Sequence, residues 1–67
     1  STKNMTLGQQ SELAKILSED ENVKRFYTFD NLFDIVGKMT DKQKSYAYYL
    51  LYEKHYIKLR NLLINLK

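Results

Sequence analysis

Cysteine, proline and tryptophan are absent from these 67 residues, and glycine occurs only at Gly8 and Gly37. Without thiols there is no disulfide framework and no thiolate metal site, so ordinary packing must hold the chain together. Without proline nothing in the sequence forces a helix to stop, and two isolated glycines cannot make a phosphate-cradling loop. No stretch approaches the roughly 20 apolar residues that span a bilayer, and no signal peptide is visible. One histidine, His55, leaves little for acid–base or metal chemistry, and its position among lysines reads as structural or solvent-facing. The carboxylate pair Asp30 and Asp34 reads as favourable charge near a helix N-terminus. The expectation is a non-enzyme with no cofactor and no metal.

What is present suits a folded domain: 43% of residues are hydrophobic and 28% charged, too apolar a mixture for a disordered tail. One domain over residues 1–67 is expected, with 1–5 disordered. A core this small is often supplemented by association, so a homodimer is expected. A start at Ser1, without an initiator methionine, reads as a domain excised from a longer chain, in which a membrane anchor could precede it.

Charge divides the chain. Residues 1–34 carry four basic against six acidic side chains, whereas residues 35–67 carry seven against two, so the net +3 belongs to the C-terminal half. An anionic partner is drawn there.

Helical periodicity appears three times. Leu7, Leu13, Ile16 and Leu17 predict a helix over about 7–18, with Thr6 and Gln9 at capping-box spacing. After the turn-forming cluster Ser18 to Asn22, a short helical turn or a continuation passes through Val23, Phe26 and Tyr27. Phe29, Leu32, Phe33 and Val36 fall at i, i+3, i+4 and i+7 and predict a second helix over about 29–37, closed by Gly37 in the left-handed conformation. Thr40 and Gln43 then cap a third, over about 41–65, roughly 37 Å long at 1.5 Å per residue. Two helices joined by a short turn containing glycine suggest a helix-turn-helix.

On a continuous third helix, 100° steps put Tyr46, Leu50, Ile57 and Ile64 on one apolar stripe and Tyr48, Tyr52, Tyr56, Leu59, Leu63 and Leu66 on another. A surface helix buries one stripe, so the second is expected to form a dimer interface, where tyrosine buries its ring and keeps a hydroxyl at the water. Between the stripes lie Lys54, Lys58, Asn61 and Asn65 on one side and Lys42, Glu53, Arg60 and Lys67 on the other. Ammonium and guanidinium groups neutralise phosphates, and asparagine amides donate to phosphate oxygens or base edges. Lys54, Lys58, Arg60, Asn61 and Lys67 are therefore the leading nucleic-acid contacts, with Lys42, Lys44, Lys24 and Arg25 behind them. The tyrosines could also stack on unpaired bases, although most are expected to be packed, with one or two accessible.

Three helices with the last long and basic resemble a homeodomain, whose third helix carries Trp-Phe-x-Asn-Arg-Arg. The register here is Tyr56-Ile57-Lys58-Leu59-Arg60-Asn61: Tyr56 matches the aromatic anchor and Arg60 one arginine, but Leu59 stands at the base-reading asparagine. That departure removes the bidentate adenine contact and implies binding dominated by phosphates. In size, helix layout and the stretch Lys42 to Asn61, the chain resembles the C-terminal domain of the membrane-associated DNA replication organiser proteins of phi-29-like Bacillus phages. The resemblance implies an all-α, homeodomain-like homodimer that binds single- and double-stranded DNA without sequence preference. It further implies the phage terminal protein as a partner, higher oligomers on DNA, and a full-length protein at the inner face of the host cell membrane, held by an N-terminal anchor. In that setting the module organises or tethers viral DNA during replication. The competing expectations are a protein–protein assembly module that binds no nucleic acid, a sequence-specific helix-turn-helix repressor, and a membrane-surface helix, the last disfavoured by apolar residues all round.

Overall fold

Three of the chain's four threonines open helices in the computed structural model, which describes residues 5–67. Thr6 begins α1 (Leu7–Glu19), Thr28 begins α2 (Phe29–Val36) and Thr40 begins α3 (Asp41–Tyr52). Each threonine hydroxyl accepts from the backbone N–H three residues on, at 3.1–3.2 Å. The side chain of that third residue, Gln9, Asn31 or Gln43, accepts in return from the threonine N–H. These are capping boxes, which satisfy backbone donors that a helix start otherwise leaves unpaired.

The described chain is all-helical, but the predicted long third helix is two. α3 stops at Tyr52, and α4 (Tyr56–Leu66) begins after three residues. The break lies at Lys54, which has φ of 57° and is the one non-glycine residue with positive φ among those described. His55 N–H donates to Leu50 C=O at 2.9 Å and Lys54 N–H to Leu51 C=O at 3.1 Å. That pair of bonds is a Schellman closure with lysine in the place glycine usually takes. The His55 ring lies 6.0 Å from the Tyr49 ring, completing the side-chain contact such closures carry. Four helix-start donors remain for α4 without a side-chain cap.

Packing explains why the rod breaks without proline or glycine. A straight helix over 41–65 is roughly 37 Å long, whereas the longest dimension of the molecule is 30 Å. Folding back at Lys54 returns Leu59 and Leu63 to the core, where both are buried with Leu13 and Leu17 of α1, Leu32 and Val36 of α2, Met39, and Leu50 of α3. Burying each leucine is worth about 1.5–3 kcal/mol, which outweighs the roughly 1–2 kcal/mol of left-handed backbone at one lysine.

Gly37 corrects a second expectation. It is right-handed, with φ of −61°, and closes α2 through its N–H bond to Phe33. Glycine is needed there for space: a Cβ would run into the amide nitrogen of Gln10, which donates to the Phe33 carbonyl at 2.7 Å and ties α1 to the end of α2. The stretch after α1 is a set of turns over 21–26, organised by Asp20. Its Oδ1 accepts from the N–H of Asn22 at 2.8 Å and of Val23 at 3.1 Å. The disorder expected for 1–5 falls on 1–4 outside the described residues; Met5 packs against the core.

Candidate nucleic-acid interface

The residues expected to face a second subunit are mostly internal. Leu59 and Leu63 are core, and Leu66 is half-buried against it. The Tyr56 hydroxyl donates to Asp20 Oδ2 at 2.8 Å. Tyr48 is half-buried, and burial, followed by the nearby Glu12 carboxylate, raises its phenol above the ordinary value. Only Tyr52 of that set is widely exposed, so the turn at Lys54 turns the proposed outer stripe into the floor of a single subunit. The other stripe is also redistributed: Leu50 is buried, while Ile57 and Ile64 point to solvent.

The basic residues separate into groups. Lys54, His55, Ile57 and Lys58 line one shallow groove at the α3–α4 turn. Lys54 also borders a second groove, lined by Ile16 of α1 and Tyr48, Leu51 and Tyr52 of α3. The turn thus places one ammonium at the meeting of two grooves and the next a turn along α4. Arg60 lies on a different flank of α4, its guanidinium 4.7 Å from the centre of the exposed Phe26 ring, a cation–π contact. Beneath that contact a cleft of about 180 Å³ runs between the 21–26 turns and α4, lined by Val23, Phe26, Tyr27, Ile57 and Leu63 among others. Asn61 is exposed on the outer face of α4, and Lys67 caps its end.

The secondary candidates lie apart from this centre. Lys42 and the half-buried Lys44 occupy the first turn of α3, roughly 15 Å along the helix from the turn. Lys24 pairs with Glu21 at 2.9 Å, and Arg25 is exposed beside it. That is the single ion pair among the described residues, so Lys42, Lys54, Lys58 and Arg60 present unpaired charge.

The periodicity did not reveal the outward side of α3. Tyr46 and Tyr49 are exposed with nearly parallel rings, 13° apart and 6.4 Å between centroids, and Tyr49 continues to His55. Their i, i+3 spacing was visible, but only the turn shows that the core uses the opposite side of the helix. No helix is long and apolar enough to cross a membrane among the described residues. No family model, curated protein or solved structure matches this chain.

Proposed function

We propose that this domain binds nucleic acid through its phosphates without reading sequence, using α3, the turn at Lys54 and α4 as a helix-turn-helix in which α4 is the presented helix. The observation that carries the reading is Lys54. A lysine occupies a left-handed backbone position that glycine would fill at lower free energy. Such strained residues gather where the side chain has work to do. Here that side chain adds an unpaired ammonium beside His55 and Lys58 on the positive half of the chain. Lys58, Arg60, Asn61 and Lys67 extend the surface along α4, while the buried Leu59 offers nothing at the homeodomain's base-reading position. A tethering role in viral replication rests on the family resemblance alone.

Titration of random-sequence duplex DNA against salt tests the reading. Each phosphate neutralised contributes about 0.9 log units of affinity per log unit of salt, and Lys58→Ala or Arg60→Ala should each lower that slope by about 1. Affinity that is flat in salt contradicts it.

A second reading has its own observation. Phe26 and Ile57 are exposed at the cleft beside α4, Ile57 at 81%, and Ile64 is exposed further along the same helix; exposed apolar groups of this kind suit a protein partner, a further copy of the chain included. Sedimentation of the wild type and Ile57→Glu separates the two: loss of self-association in the variant with DNA binding intact assigns this face to assembly.

A further inference from the structure

We infer that the outward face of α3 is a stacking platform for the unpaired bases of a single-stranded nucleic acid, formed by the rings of Tyr46, Tyr49 and His55. The inference rests on the nucleic-acid reading above and adds to it a preference for exposed bases.

The core does not account for these rings, although the Tyr49–His55 contact also belongs to the closure of α3. Tyr48 and Tyr56 pack against the core, whereas Tyr46 and Tyr49 stand outside it, 44% and 54% exposed. Their hydroxyls make no hydrogen bond among the described residues, so neither ring is held outward by a polar contact. The three rings nevertheless form a row: Tyr46 to Tyr49 at 6.4 Å and 13°, Tyr49 to His55 at 6.0 Å and 43°. The row is fixed in place by the backbone, because the two tyrosines sit on one helix and His55 is held by its N–H bond to Leu50. A preformed row of π-faces loses little conformational freedom when it takes a flat ligand.

Charge and spacing point to an oligonucleotide. Lys42 lies one turn before Tyr46, and Lys54 adjoins His55 at the other end, so a polyanion following the ring row meets an unpaired ammonium at each end. Glu53, one turn beyond Tyr49, opposes it. Successive bases in a duplex strand are about 3.4 Å apart, roughly half the ring spacing. A strand must therefore lie extended to place neighbouring bases on neighbouring rings, and duplex bases, paired and covered on both faces by their neighbours, offer no open face to them. Stacking accepts any base, in keeping with phosphate contacts that read no sequence.

The test compares a thymidine oligonucleotide with an abasic strand of equal length and charge, and with random duplex. The thymidine strand should bind about tenfold or more tightly than the abasic strand, the effect of stacking about one base. It should also quench tyrosine emission, which the abasic strand should not; the chain has no tryptophan to obscure this. Tyr46→Ala, which leaves the Tyr49–His55 contact of the turn in place, should reduce that advantage without changing abasic or duplex binding, and Tyr46→Phe should keep it. Lys54→Ala should weaken all three ligands alike. Equal binding of thymidine and abasic strands, with no quenching, overturns the stacking platform and leaves phosphate binding standing. Failure of all three ligands to bind overturns both readings.

Discussion

The Tyr56 hydroxyl donates to Oδ2 of Asp20 at 2.8 Å, tying the first residue of α4 to the C-cap of α1. The same carboxylate closes the 21–26 turns through Asn22 and Val23, so one side chain joins three parts of the chain. Tyr56→Phe leaves that oxygen without its donor and should reduce stability by about 1–3 kcal/mol in denaturant titration. The Asn22 amide favours the phenolate, but the Asp20 hydrogen bond, burial and the Asp20 charge outweigh it and raise the pKa above 10.0. A raised folded-state pKa gives stability that is complete below the unfolded value and lost as pH rises through the folded one. Wild-type stability should therefore fall above about pH 10, and less steeply in Tyr56→Phe. Equal slopes would show that the bond does not form.

Gly37 should resist substitution for a spatial reason. Gly37→Ala displaces the Gln10 amide from the Phe33 carbonyl, and the expected loss is about 1 kcal/mol. Because its φ is −61°, alanine meets no backbone penalty, and Gln10→Ala should cost a similar amount while making Gly37→Ala nearly neutral in the double variant. Additive losses in that cycle would contradict the account.

Leu63 distinguishes a core from an interface. Leu63→Ala should destabilise by about 2–5 kcal/mol, with a loss that does not depend on protein concentration. A loss that disappears at high concentration would return Leu63 to a surface between subunits.

Which parts of this were legible in the sequence follows from the range of the forces involved. The caps at Thr6 and Thr40 are legible because donor and acceptor lie three residues apart; the cap at Thr28 has asparagine in place of glutamine at the third position and departs from that signature. The α2 face, Phe29 to Val36, was legible for the same local reason. The stop at Tyr52 was not, since no residue between 53 and 55 is a helix breaker. It is imposed by Leu59 and Leu63, which reach the core only if the chain turns back, and that is a long-range condition. The consequence reaches the site. Periodicity alone puts the left-handed residue at Gly37 instead of Lys54 and Leu59 and Leu63 on an outer face, and it assigns Tyr49 to neither stripe. Of the basic residues the sequence singles out in the α3–α4 region, Lys54 and Lys58 share a groove, whereas Arg60 lies on another flank of α4.

Lys54 tests the central claim, that a lysine is kept in a glycine position for its charge. Lys54→Gly relieves the left-handed backbone and should raise stability by about 1 kcal/mol, a melting shift of about 4–8 °C for a domain of this size. Lys54→Asn, which also tolerates that conformation, separates charge from flexibility. Both variants measured for duplex DNA affinity across salt should bind more weakly than wild type and lose about 0.9 from the salt slope. More stable variants with unchanged affinity and slope would show that the ammonium at the turn contacts no phosphate, and the proposed interface would fall with it.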